Sequence, residues 1–110
     1  MEITLEEIKS QCRIDGDESD DLLEQYLISA KSIVENVTNC KLFDNLPDGP
    51  PANALEINGD LKVAILMLIA YLFENRGGWN EAHAAPQFQL PPTVEMIISR
   101  YKILPIPVWG

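Results

Sequence analysis

The chain has 110 residues, with eight Lys or Arg against 17 Asp or Glu, a formal net charge of −9, and 46% hydrophobic residues. This composition is typical of one globular domain and excludes disorder of the whole chain. The acidity argues against the basic surface with which proteins bind DNA regardless of sequence. No leader-like apolar stretch opens the chain, and its longest apolar run, residues 63–73, is too short to cross a bilayer. We therefore expect synthesis in a cytosol and no membrane segment.

The N-terminal residues predict a short helix. Thr4 and Glu7 have the capping-box spacing, in which each side chain satisfies a backbone donor at a helix start. The helix should run from about Leu5 to Gln11, with Leu5 and Ile8 on its buried side.

A longer amphipathic helix follows. Asp17 or Ser19 can cap its start, and it should end near Asn39. Its apolar positions recur every three or four residues, which is the helical period. These positions are Leu22, Leu23, Tyr26, Leu27, Ala30, Ile33, Val34 and Val37.

Prolines and glycine in residues 41–57 predict an irregular connection with room for a short strand pair. The third helix should start between Asn58 and Asp60 and end at Arg76, before the helix-stopping Gly77. Residues 63–73 are apolar on every side, so this helix should be central, and a partner should cover what the bundle leaves open.

The C-terminal third of the chain has one helical signal. Residues 78–90 show no period and predict an extended arm or loose hairpin. A fourth helix should start at 91–93 and end near Lys102, after which prolines predict an extended apolar tail at 103–110. The chain thus divides into a helical domain, 1–102, and this tail.

We predict an all-α fold, a small bundle of about four helices around the apolar third helix, with irregular loops or a short hairpin. The side chains expected in or near its core follow from the helical period and from the third helix, which is apolar on every side. They are Leu23, Leu27, Ile33, Val34, Ile65, Leu68, Ile69, Leu72 and Ile97.

No catalytic, cofactor or metal site is expected from the motifs. His83 is the only histidine and has no ligand at metal spacing, and the acidic segment after Asp15 lacks the glycine and glutamate positions of a calcium loop. Cys12 and Cys40 should be free thiols with a packing role. We therefore expect neither an enzyme nor a cofactor.

Two surfaces stand out as candidates for interaction. Residues 1–60 hold fourteen acids and four bases, and the densest acidic part precedes and opens the second helix. This acidic face comprises Asp15, Asp17, Glu18, Asp20, Asp21 and Glu24. The candidate partner interface comprises apolar residues of the arm and tail, Trp79, Phe88, Ile106, Val108 and Trp109.

Several stretches of the chain resemble the head-to-tail connector proteins of tailed bacteriophages. They include residues 3–9, Arg13-Ile14-Asp15, the long helix containing Glu35-Asn36, and the third helix with its terminal Glu-Asn-Arg at 74–76. A Leu-Pro followed by a helix ending in Arg100-Tyr101 is also similar. The resemblance covers nearly the whole chain in order, whereas the Pro-rich loop at 47–51 and the tail depart from the pattern.

The resemblance implies a mostly helical subunit of a homo-oligomeric ring beneath the portal protein, joining the DNA-filled capsid to the tail or head-closure protein. It implies a virion location at the head-tail junction, synthesis in the bacterial host cytoplasm, a possible link to DNA packaging, and no catalytic residues. DNA would pass through without specific binding, and a negative lumen would repel its phosphates. Two alternatives stay open: a small adaptor domain that binds one protein through an apolar groove, and an enzyme without a recognised site.

Overall fold

The computed structural model describes residues 1–74 and 90–102. The elements in chain order are α1 (Leu5–Cys12), α2 (Asp20–Thr38), β1 (Lys41–Phe43), β2 (Ala54–Glu56), α3 (Gly59–Glu74), α4 (Pro92–Ile98) and a single 3₁₀ turn (Ser99–Tyr101). The mainly helical fold expected from the sequence is confirmed. Residues 78–89 of the predicted arm, the predicted tail at 103–110 and the predicted end of the third helix at Arg76 lie outside the described residues.

The first helix begins with the predicted capping box. The Thr4 hydroxyl accepts the Glu7 N–H at 3.2 Å, and the Glu7 carboxylate accepts the Thr4 N–H at 3.0 Å. Arg13 then takes a left-handed conformation, with φ of 59°, and ends the helix. The expected helix is therefore confirmed, with its last turn reaching Cys12.

The second helix covers the core with a stripe of buried side chains, which are Leu23, Ala30, Val34 and Thr38. It ends at Thr38 because Asn39 is left-handed, with φ of 59°. Ser19 occupies the N-cap position, but its side chain makes no capping hydrogen bond. The position of Ser19 at the N-cap is thus as predicted, but its hydroxyl does not cap the helix. With ψ of 11°, Ser19 lies outside the extended region typical of a capping serine.

The two short strands pair in parallel, with Lys41 opposite Ala54 and Phe43 opposite Glu56. The short strand pair expected within residues 41–57 is therefore present, and its strands are parallel, unlike those of a hairpin. The connection at 44–53 is long enough to carry the chain back to the beginning of β1 before β2 starts, whereas a tight turn would reverse its direction. Gly49 adopts a φ of +65° in this loop.

The third helix is the centre of the fold, as predicted, and packs against α1, α2 and α4. Its start is capped by the Asn58 side chain, which accepts the Leu61 N–H at 2.9 Å. Its fully buried side chains are Leu61, Ala64, Ile65, Leu68 and Ile69. On the opposite side of the helix, Val63 is 49% exposed, so none of the described residues covers that part of α3.

The core contains most of the residues expected there. Leu23, Val34, Ile65, Leu68 and Ile69 are fully buried. Leu27, Ile33 and Ile97 are partly buried and pack against this core, and Leu72 is also partly buried.

The C-terminal helix closes the bundle through Val94 and Ile98, which are fully buried. The following turn is tied to the sheet by Tyr101. Its carbonyl accepts the Cys40 thiol at 3.4 Å, and its hydroxyl accepts the Asn58 amide at 2.9 Å. The end of the described chain is therefore fixed beside the start of β1.

Candidate assembly surfaces

The acidic turn between α1 and α2 folds around a lysine. The Lys9 ammonium lies 2.7 Å from a carboxylate oxygen of Asp17 and 2.7 Å from one of Asp20. Hydrogen bonding to Lys9 lowers the pKa of Asp17, and the same bonds raise the pKa of Lys9. Two of the six carboxylates of the acidic face therefore have a cation beside them, which sequence spacing alone did not reveal.

The other four carboxylates of the acidic face point to solvent. Asp15 and Glu18 are exposed in the turn, and Asp21 and Glu24 are exposed on the first turns of α2. Asp21 and Glu24 lie three residues apart and so share one side of the helix. The structure thus leaves a compact negative surface at the N-terminal end of α2.

A second ion pair connects α1 to the central helix. The Glu7 carboxylate contacts the Lys62 ammonium while it also accepts the Thr4 N–H. The hydrogen bond from Lys62, followed by that from Thr4, lowers the pKa of Glu7 from 4.5 to about 2. This carboxylate therefore stays ionised far into the acid range and fixes the position of α1 on α3.

Exposed apolar side chains lie on the outer sides of three helices. Ile28 of α2 is 69% exposed, Met96 of α4 is 66% exposed, and Val63 of α3 is 49% exposed. Leu46 and Met1 add smaller apolar areas. The sequence interpretation did not single out Ile28 or Met96, although both lie on the side of their helix opposite the buried stripe, and a helical projection would have identified them.

The five apolar residues predicted as a partner interface, Trp79, Phe88, Ile106, Val108 and Trp109, all lie outside the described residues. Their surroundings therefore remain a prediction from sequence.

Within residues 1–74 and 90–102, no group of three or more His, Cys, Asp or Glu side chains is close enough to hold a metal ion. In the same ranges, no helix is both long and apolar enough to cross a membrane. Both cysteines are free, with Cys40 buried beside Tyr101. Burial raises the pKa of the Cys12 thiol, which favours its neutral form.

The bundle and its surfaces can be compared with known proteins. The family model described as "Phage gp6-like head-tail connector protein" matches residues 2–102. The chain belongs to this connector family. The match covers the whole described fold, and it confirms the resemblance to phage connectors seen in the helix-forming stretches.

A solved structure of another phage protein has a similar fold. The crystal structure of bacteriophage HK97 gp6 matches with a TM-score of 0.65 and 22% sequence identity, over 92% of this chain and 93% of that chain. At this identity the likeness establishes the fold. No curated protein matches the sequence. Membership of the family makes this chain a phage head-tail connector protein, in a family whose described role is structural.

Proposed function

We propose that this connector is a subunit of a closed homo-oligomeric ring beneath the portal protein, at the junction of the phage head and tail. The match of the connector family to residues 2–102 carries the proposal. In this role the ring joins the DNA-filled capsid to a tail or head-closure protein and lets DNA pass. The subunit is made in the cytoplasm of the bacterial host and becomes part of the virion.

The exposed apolar side chains suit assembly. Ile28, Val63 and Met96 lie on three different helices, so they supply apolar area on more than one side of the subunit. Ring closure needs two different surfaces that meet head to tail, rather than one surface that meets itself. Side chains distributed over α2, α3 and α4 can supply both.

The arm and tail residues are proposed to contact partners. Trp79 and Phe88 belong to the arm, and Ile106, Val108 and Trp109 belong to the tail. A few residues contribute most of the binding energy in many protein interfaces, and tryptophan is enriched among them. We assign these residues to contacts with a neighbouring subunit or with the portal protein.

The acidic surface is proposed to face the passing DNA. Asp15, Glu18, Asp21 and Glu24 are exposed, and none has an ion pair among the described residues. Negative side chains repel phosphates over a Debye length, about 8 Å at physiological salt. A lumen lined by these groups lets DNA slide without being retained. No catalytic residue or cofactor is required for such a role.

Electron microscopy of the protein mixed with its cognate portal protein tests the ring. The full chain is expected to add a ring of density on the tail side of the portal, whereas an adaptor would form a one-to-one complex without a ring. A chain that ends at Ile103 tests the tail separately. Absence of a ring with the full chain would refute the connector ring, and equal assembly by both chains would refute only the role of the tail.

A further inference from the structure

The two strands of the small sheet face each other through alternate residues. The Lys41 N–H donates to the Asn53 carbonyl at 2.9 Å, and the Ile57 N–H donates to the Phe43 carbonyl at 3.0 Å. The N–H and C=O of one residue in a strand point to the same edge, and those of the next residue point to the other edge. The backbone groups of even-numbered residues in β1 and β2 therefore point away from the partner strand.

The outer edge of β1 is closed by a side chain. The Leu42 N–H points away from β2 and donates to a carboxylate oxygen of Glu35 at 2.8 Å. Glu35 belongs to α2, which therefore lies along this edge. A further strand could not bind the Leu42 N–H without displacing Glu35.

The outer edge of β2 is open. The Ala54 N–H donates to the Pro51 carbonyl at 3.0 Å. The Ala54 C=O and both backbone groups of Glu56 have no hydrogen bond within residues 1–74 and 90–102. Glu56 is exposed, and its side-chain carboxylate accepts the Leu46 N–H at 3.1 Å. Unpaired strand edges recruit further strands, and a sheet of two short strands has little stability of its own.

The C-terminal tail has the sequence pattern of a strand that pairs on one side only. Pro105 and Pro107 lie two residues apart. In an extended chain both prolines therefore lie at the same edge, where positions 105 and 107 offer no N–H, while the even-numbered residues keep their donors at the other edge. The residues on that intact edge are Leu104, Ile106 and Val108.

The tail follows a residue that lies beside the start of β1. The Tyr101 carbonyl accepts the Cys40 thiol at 3.4 Å, and Cys40 directly precedes β1. Only the Tyr101 side chain extends toward Asn58, which follows β2. The main chain thus leaves the fold near β1, and the free acceptor edge belongs to β2.

We propose that residues 103–110 of one subunit add as a third strand to the outer edge of β2 in the neighbouring subunit. The proposal rests on the ring put forward above and names the contact that links its subunits. A donor segment of one subunit that binds an acceptor edge of the next forms a head-to-tail contact, as a closed ring requires. Eight extended residues reach about 26 Å, which is sufficient to cross onto a neighbour. The two prolines then disfavour a fourth strand, because positions 105 and 107 at the middle of their edge have no N–H to donate.

A matched pair of proline substitutions tests the pairing. Leu104→Pro removes a donor from the pairing edge, whereas Ile103→Pro places a proline on the edge that already carries two. Lys102 has φ of −70° and ψ of 124°, which is compatible with a proline at position 103. Both variants keep the length of the chain and change one aliphatic residue to proline.

Hydrogen exchange at Glu56 reports on the acceptor. Leu104→Pro chains labelled with ¹⁵N are mixed with unlabelled wild-type chains and portal protein, and mass spectrometry follows exchange in labelled peptides that contain the Glu56 amide. In this mixture we expect the Glu56 amide to exchange at least tenfold more slowly than in labelled Leu104→Pro chains that are mixed with portal protein without wild-type chains. Unlabelled Ile103→Pro chains, used in place of wild-type chains, should protect the Glu56 amide of the labelled chains equally well. Assembly without protection, or protection by Leu104→Pro donors, would overturn the proposal.

Two further measurements separate the remaining outcomes. Protection of Glu56 in dilute wild-type monomers would overturn the proposal by showing that the tail binds the β2 edge of its own chain. A synthetic peptide of residues 102–110, added to the Leu104→Pro chain, tests the strand contact without a ring. If no ring forms on the portal but the peptide protects Glu56, the ring is refuted and strand addition is supported. If the peptide also fails to protect Glu56, both are refuted.

Discussion

Glu7 of α1 and Lys62 of α3 form an ion pair that joins a helix cap to the central helix. The same carboxylate accepts the backbone N–H of Thr4, so one side chain both starts α1 and attaches it to the core. Because the ordinary pKa of 4.5 falls to about 2 in the fold, the charged form of Glu7 is favoured by folding. This difference makes the stability of the protein depend on pH in the acid range.

We expect Glu7→Gln to remove that dependence while keeping the capping box, since glutamine can also occupy this capping position. The folded pKa is the lower one, so the contribution is complete above pH 4.5 and is lost as the pH falls toward 2. Urea midpoints of wild type and Glu7→Gln should differ at pH 6 and converge through that window. Glu6→Gln, an exposed neighbour, is the control. A difference that stays constant down to pH 2 would contradict the assignment.

We expect Leu68→Ala to lower the free energy of unfolding by about 2–5 kcal/mol, because Leu68 is fully buried on α3 and its removal leaves a cavity. Val63→Ala on the same helix should change it by less than about 0.5 kcal/mol, since Val63 is 49% exposed. Urea unfolding measures both. Equal effects of the two substitutions would show that the buried side of α3 is wrongly assigned.

We expect Asn58→Ala to destabilise the protein by about 0.5–2 kcal/mol, the usual loss for an N-cap. The Asn58 side chain accepts the Leu61 N–H and donates to the Tyr101 hydroxyl. Asn58→Asp keeps the acceptor and removes the amide donor, so it should retain most of the stability. Thermal or urea unfolding of the two variants separates the cap from the contact with Tyr101. A loss as large in Asn58→Asp as in Asn58→Ala would contradict the capping role.

We expect no retardation of random duplex DNA by the wild-type protein at about micromolar concentration and physiological salt, given the net charge of −9. The assembled ring should gain DNA retention when Asp21 and Glu24 are both changed to lysine, because the repulsive surface becomes attractive. The control is the double variant Asp48→Lys with Glu95→Lys, which has the same net charge as the first double variant but changes exposed residues outside the acidic face. Equal retention by the two double variants would refute a lumen position for the acidic face.

Local signals were sufficient for the helices of this protein. The capping box of Thr4 and Glu7, the left-handed Asn39 and the cap at Asn58 all act within four residues of a helix end. The period of the apolar residues identified the buried side of α2, because a regular helix turns a fixed angle with each residue. For α3, which is apolar on every side, the sequence predicted its central place in the fold. These features depend on short stretches of sequence. The structure confirms the predicted capping box and the predicted end of the second helix near Asn39.

The direction of the strands and the charge environment required the tertiary structure. Whether β1 and β2 run parallel depends on the path of residues 44–53. The hydrophobic pattern of two short strands is the same whether they pair in parallel or antiparallel, so the pattern does not predict the direction. The contacts of Lys9 with Asp17 and Asp20 arise where α1 and α2 meet, and Glu7 meets Lys62 only where α1 crosses α3. The sequence alone therefore determined the helices and the buried side of α2, which depend on neighbouring residues. Only the packed fold decided which charges are paired and which strand edge stays open, because both depend on distances between residues far apart in the chain.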